Sequence, residues 1–600
     1  MKTTLLTLAV LACIVLPVRG RDTVRLADFG ARPYSYMNCV PQLRAALDAC
    51  KREHARVLLF EKGRYDLWPE GAARRDCFVS NTSSEEECPS KTKVFGLLIE
   101  EMEDLTIEGN GAELVFHGKM TMAAVIRSRR IALRGLAFDF ERPGGSELTY
   151  ARVDDRGVEV ALHRDSRYEI VGGRIRLYGE GWRSEHIHCI EYDPQTQRFF
   201  HSDGWERLAG AEAVETAPGR VRFATPPDFR PQEGNTLTVR DIIRDQVGML
   251  LLESRDVELE ELAMRYMHGL GIVSQYSHNV TMRRVTCAPR EGSGRLLASS
   301  ADFMHFSGCS GRVRILGCRF AGAQDDPVNV HGTNLRIEAA PDDRTLRLRF
   351  MHPQSYGFDA FFAGDTVAFV RTPTMERIAR AQVVAATRLS DREVELRLDR
   401  RIPQGVLPGR DCIENLTRTP EVEIRGCSFT RTSTRGTLVT TPRKVVIADN
   451  TYCKTGMSAI LIEGDAENWY ESGPVDDVLI CGNRFVDCAW NGGPHRAVIA
   501  LNPSNSEVDA SRPVHRNVRI VDNTFRLSGN PALFAKSTEG LVFRGNLIEP
   551  EPPAEGLVGP LLLFDACKDA VVRDNRIRGD LRKVVECTRM RRGALSSDLP

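Results

Sequence analysis

The chain has 600 residues, with 81 Lys and Arg against 81 Asp and Glu, 42% hydrophobic residues and 27% charged ones. A formal net charge of zero excludes a nucleic-acid or anionic-membrane partner held by a bulk basic field, and this apolar content excludes wholesale disorder. A neutral substrate fits these values, and the length suggests about four domains unless repeats make one long body.

Residues 1–20 carry a charged start, Met1-Lys2, and an apolar run over residues 5–18, the pattern of a secretory signal. The run is too short to span a membrane as a helix. Two processing routes stay open: cleavage after Gly20, or lipid attachment at Cys13, because Leu11-Ala12-Cys13 resembles a lipobox. Either way the expectation is an exported chain, periplasmic, secreted or lipid-anchored. Of 16 Cys, one lies in the signal, leaving an odd number. Cys39/Cys50 and Cys77/Cys88 are close enough in sequence to form bridges. No CxxC pair or Cys/His set has metal spacing, so neither metal nor cofactor is expected.

Residues 21–140 are expected to hold an N-terminal cap and the first coils of a repeat. Asp28-Phe29-Gly30-Ala31, a helical stretch over 41–52 and a strand over 57–60 form the cap. The repeat itself is an eight-residue frame, apolar-x-apolar-x-Gly/Asp-Asn-x-Phe/Ile, seen at 445–452, 478–485, 518–525, 541–548 and 570–577, with Asn450, Asn483, Asn523, Asn546 and Asn575 in its sixth slot. Looser copies start at Leu105, Ile131, Val257, Val280, Val313 and Val422, and place Cys318 and Cys427 in interior positions. The recurring minimum step of 23 residues is too short for a helical crossover unit and matches one coil of a parallel β-helix. Equivalent slots then stack about 4.8 Å apart, so the Asn column becomes a ladder and the apolar slots a continuous core. The fold class is all-β, a right-handed parallel β-helix of the pectin-lyase-like kind.

Two gaps, of 126 residues before Val257 and 109 before Val422, interrupt the rhythm. Alternating polar and apolar residues in both, such as Thr345-Leu346-Arg347-Leu348, read as strands. Small β-barrels inserted over 141–240 and 335–415 are expected, with β-helix coils over 241–334 and 416–590.

A site on such a helix should appear as polar residues one coil apart. Asp302 and the pair Asp325-Asp326 meet that test, 23 and 24 residues apart, with Gln324, His305 and His331 nearby. Like charges this close raise at least one pKa and leave an acid beside a base near neutral pH. Consecutive strand residues face opposite ways, so Asp325 and Asp326 can share a site only if one lies in a turn, which Pro327 favours.

Ala323-Gln324-Asp325-Asp326 resembles the paired-Asp motif of the family 28 polygalacturonases, whose other motifs are not evident here. The closer similarity is to glycoside hydrolase family 110. It is carried by Met120-Thr121-Met122, Leu133-Arg134-Gly135-Leu136-Ala137-Phe138-Asp139-Phe140-Glu141-Arg142-Pro143, Ala301-Asp302-Phe303-Met304-His305 and Gln324-Asp325-Asp326-Pro327-Val328-Asn329-Val330-His331-Gly332. This resemblance implies a β-helix with two inserted barrels and an exo-acting α-1,3-galactosidase that removes terminal galactose, including the blood-group B determinant, with inversion. It implies Asp325 as general acid, and Asp302 with Asp326 holding and deprotonating the attacking water.

Glu463, Asp465, Trp469, Trp490, His495 and Arg496 offer aromatic and polar groups for sugar binding, and Glu141 and Arg142 are weaker candidates. His186 and His188 share a metal-like spacing without a carboxylate partner in view. The sequons at Asn81, Asn279 and Asn415 carry little weight in the bacterial source that the resemblance implies. Two other readings remain: a polygalacturonase-type polysaccharide hydrolase, and a non-catalytic glycan-binding surface protein.

Overall fold

Apolar residues at every second position bury one face of each short strand, and stacking identical strands buries that face continuously. The structure, a computed structural model, describes residues 22–184, 187–491, 497–552, 556–579 and 581–600. Two long, predominantly parallel sheets of 24 and 13 strands wrap one core. The frame read from the sequence is the register of the stack: Leu105 pairs with Ile131, then Val257, Val280, Val313, Val422, Val445, Val478 and Val518 follow in one column. Both long gaps are crossed without a slip. The aromatic slot stacks likewise, Phe320 on Phe429, Tyr452, Phe485 and Phe525, with centroids 4.4–5.3 Å apart.

The Asn column forms the expected ladder. Asn450, Asn483, Asn523 and Asn546 each donate their main-chain N–H and side-chain Nδ2 to the Oδ1 of the next Asn, ending on Asn575, at 2.9–3.0 Å. Nδ2 of Asn523 also donates to the carbonyl of Ile480 in the preceding coil. Asn523→Ala therefore strands buried groups on both sides of the rung, and we expect a loss of about 2–3 kcal/mol, read as a shift in urea midpoint at unchanged slope.

The opening residues close the end of the helix: Val40, Leu43, Ala46, Leu47 and Cys50 of the α-helix Val40–Glu53 join the main core. The expected bridges do not form. Cys39, Cys50, Cys77 and Cys88 are all free thiols. Cys39 caps the helix that carries Cys50, and eleven residues of helix place them about 16 Å apart, beyond disulfide reach; the Cys88 thiol instead donates to Ser90 O. Cys318 and Cys427 are buried in the Asn slot as expected, the Cys318 N–H donating to Cys427 Sγ at 3.3 Å.

The first insertion holds a seven-stranded antiparallel sheet running from Gly145–Asp154 to Thr236–Asp241, and a three-stranded sheet beside it. Its own core includes Leu148, Tyr150, Val160, Phe223 and Leu237. The second is a closed six-stranded barrel from Asn334–Ala339 to Cys412–Asn415. One returns to the helix just before Val247–Leu252 and the other leaves it just after Val328–His331, so the two flank the strands that carry the clustered Asp residues. No helix among the described residues is long and apolar enough to cross a membrane.

Candidate active site

Met304–Ser307, Val328–His331 and Thr437–Val439 are neighbours in the 13-stranded sheet, with Met304 opposite Val328 and Val328 opposite Thr437. Met304, Phe306, Val328 and Val330 enter the core, so His305 and Asn329, at the alternate positions, face outward. Two residues before each strand the same register reaches Asp302, Asp326 and Arg435. The main-chain N–H of Arg435 donates to Asp326 Oδ1 at 3.2 Å and its guanidinium lies 2.9 Å from Oδ2. Asp325 and Asp326 both precede the strand, in the bend before Val328, which removes the opposite-face difficulty. Asp302, Asp325 and Asp326 line one cavity of about 420 Å³.

Arg244, just past the first insertion, lies 3.3 Å from Asp325 Oδ2 and donates through its other terminal nitrogen to Asn81 O at 3.1 Å. Burial, reinforced by the Asp325 charge, pushes the Asp302 carboxyl up to about 8. Burial pushes Asp326 up as well, opposed by Arg435 and reinforced by Asp325 and Asp302. Burial also pushes Glu463 up to about 7, against the lowering pull of Arg435. The cavity thus holds carboxyls that keep a proton near neutral pH, the division of labour acid–base catalysis needs.

The other residues expected at the site divide. Glu463, Asp465 and Trp469 line the cavity. Asp465 shapes it, its carboxylate accepting the main-chain N–H groups of Glu467, Asn468 and Trp469 at 2.5–2.9 Å. Trp469 stacks on His352 of the second barrel, centroids 3.8 Å apart. His305 and His331 lie behind Asp302: Asp302 Oδ2 is 2.8 Å from His305 Nδ1, and His305 Nε2 is 2.9 Å from His331 Nε2.

Gln324 does not line the cavity; it accepts from Arg240 and donates to Thr238 Oγ1, fastening the turn to the first insertion. Trp490 lies under the Arg198 guanidinium at 5.1 Å, away from the cavity. Glu141 pairs with Arg64 at 2.9 Å and Arg142 donates to Arg164 O, an ion pair and a surface contact outside the site. His495, Arg496 and His186 lie outside the described residues.

Among the cavity residues that escaped the sequence are Asn81, Arg244, Arg435 and Glu471. Arg435 had a signal, since it follows Asp326 by the 109 residues that separate Val313 from Val422. Asn81 and Glu471, joined by an Asn81 Nδ2–H donated to Glu471 Oε1 at 2.7 Å, come from loops without periodicity.

Residues 146–237 match the family model described as GLAA-B beta-barrel domain I, and residues 345–413 match GLAA-B beta-barrel domain II. The chain is 61% identical to alpha-1,3-galactosidase A of Bacteroides fragilis over 584 residues, 96% of either chain. It is 36% identical to alpha-1,3-galactosidase B of Bacteroides thetaiotaomicron, over 98% of this chain and 96% of that one. Among solved structures, the family 28 exopolygalacturonase of Yersinia enterocolitica is 12% identical with a TM-score of 0.43, covering 96% of this chain and 78% of that one. Relatedness over nearly the whole length, with both inserted domains in place, decides between the two hydrolase families considered: the chain belongs to glycoside hydrolase family 110, the α-1,3-galactosidases.

Proposed function

We propose that the protein removes terminal α-1,3-linked galactose from the non-reducing ends of glycans and inverts the anomeric carbon. The observation that carries the mechanism is the convergence of Asp302, Asp325 and Asp326 on one cavity, set in a chain kin to named α-1,3-galactosidases along its length. A cavity of about 420 Å³ suits a terminal sugar and its neighbour better than a run of polymer. Asp325, whose side chain is 26% exposed, gives its proton to the leaving oxygen. Asp326, held by Arg435, orients the water that Asp302 deprotonates. Trp469 offers its face to the sugar beyond the scissile bond. The signal-like first twenty residues support export.

Inversion requires a water between base and anomeric carbon, with carboxyls about 6.5–9.5 Å apart, against about 5–5.5 Å for retention through a covalent intermediate. Proton NMR during early turnover of an α-1,3-galactosyl disaccharide should show β-galactose first. Initial α-galactose would overturn the inverting mechanism and recast Asp302 or Asp326 as a nucleophile.

A further inference from the structure

Asn329 lines the cavity with its side chain deeply buried, at 5% exposure, yet among the described residues no group donates a hydrogen bond to its Oδ1. A buried acceptor left without a donor costs stability, and such an atom in a native protein calls for a reason. The sheet fixes where the amide points. Val328 and Val330, on either side of Asn329, turn into the core, so Asn329 stands on the outward face. Its neighbours across the strands are His305 and Leu438. His305 is committed to Asp302 and His331, and the Leu438 side chain carries no polar atom. The Asn329 amide is therefore a polar group set in the floor of the cavity.

The three Asp residues lie at different depths around that floor. Asp302 and Asp326 are 5% and 1% exposed, whereas the Asp325 side chain is 26% exposed. With inversion, the water held by Asp302 and Asp326 attacks from the deep side, and the leaving sugar departs past Asp325 toward solvent. Inversion of an α-galactoside needs attack on the β face of the ring, so that face is turned to the floor. Galactose carries its O4 hydroxyl axially on the same β face, whereas glucose holds O4 equatorially, close to the ring plane. C4 lies across the ring from C1. Asn329 follows Asp326 by three residues, up to about 10 Å of extended chain, which leaves room for a pyranose between the carboxylates and the amide. With C1 over the carboxylates, the axial O4 hydroxyl points down at Asn329.

We propose that Asn329 Oδ1 accepts the hydrogen of the axial O4 hydroxyl and that Asn329 is the residue that selects galactose over glucose. The proposal rests on the hydrolytic, inverting reading above. An equatorial O4 points away from the floor and leaves Oδ1 covered by the sugar without a donor. A site built to pair a hydroxyl rejects an analogue that cannot supply it, because its own buried polar group is then stranded.

The test compares an α-1,3-galactosyl disaccharide with its 4-deoxy and 6-deoxy analogues, changed only in the galactose, in wild type and in Asn329→Leu. Wild type should lose at least about 10²-fold in kcat/KM on the 4-deoxy substrate. Asn329→Leu should lose about as much on the parent disaccharide and then treat parent and 4-deoxy substrate within about threefold of each other, since the group that reads O4 is gone. Its ratio between parent and 6-deoxy substrate should stay at the wild-type value, and its preference for the galactosyl over the α-1,3-glucosyl disaccharide should narrow. A wild type indifferent to the 4-deoxy change, or a variant that still penalises it as wild type does, overturns the assignment. The urea midpoint of Asn329→Leu should be no lower than that of wild type, because Oδ1 gives up no partner in the protein. A lower midpoint with equal losses on every substrate would make Asn329 a structural residue and overturn the assignment as well. Absence of hydrolysis by wild-type protein would defeat the hydrolytic reading. Binding of methyl α-galactoside and its 4-deoxy analogue to wild type and to Asn329→Leu, followed by saturation-transfer NMR, would then still decide whether Asn329 reads O4: only wild type should prefer the parent sugar.

Discussion

Asp325→Asn should fold with wild-type stability and lose turnover of an α-1,3-galactosyl disaccharide by roughly 10²–10⁴-fold, the range for removing a general acid. Stability should hold because the side chain is partly exposed and its main contact, Arg244 at 3.3 Å, can also be made to an amide oxygen. The substrate decides the role. A para-nitrophenolate leaving group needs no proton, so a variant lacking only the acid keeps far more activity on para-nitrophenyl α-galactoside than on the disaccharide. Equal losses on both would mean that Asp325 acts on the water or the sugar. A second donor deserves the same comparison. Glu463 lines the cavity, and burial pushes it up to about 7, so the substrate-dependent pattern in Glu463→Gln instead of Asp325→Asn would move the acid there.

Arg435→Met should cost both turnover and about 3–5 kcal/mol of stability at pH 7, because it leaves Asp326 as an unpaired buried carboxylate. The Asp326 side chain is 1% exposed, and both its oxygens are held by Arg435. The pH dependence separates charge from packing. Without Arg435 the folded-state pKa of Asp326 lies further above its unfolded value, so the penalty is largest above the folded pKa. It shrinks as pH falls through that value and vanishes below the folded pKa of the wild type, where Asp326 holds its proton with or without Arg435. Urea melts at pH 7 and pH 4.5 should therefore show a smaller difference from wild type at the lower pH. An equal difference at both would assign the loss to the guanidinium's packing.

The β-helix was legible because its geometry is periodic in the sequence. Stacking at a fixed spacing makes Val257, Val280, Val313, Val422 and Val445 chemically equivalent. The Asn rungs mark the same register through hydrogen bonds that only Asn at that slot completes. Asp302 and Asp326 were legible for the same reason, lying two residues before paired strands.

What periodicity could not reach was decided by chain segments with no repeat of their own. Arg244 arrives from the end of the first insertion, Glu471 from a loop between coils and Asn81 from the N-terminal region; only packing brings them together. Gln324 and Trp490 show the converse. Both are residues a sugar site could use, yet Arg240 and Arg198, each carried by the first insertion, claim them first. The helix Val40–Glu53 holds Cys39 and Cys50 apart, although eleven residues of flexible chain could have closed a bridge. By itself the sequence determined the repeat, its core and the carboxylates within one coil step, since stacking writes those contacts into the spacing. The tertiary structure decided which cations, imidazoles and loops meet those carboxylates, because residues far apart in the chain become neighbours only when the insertions dock on the helix.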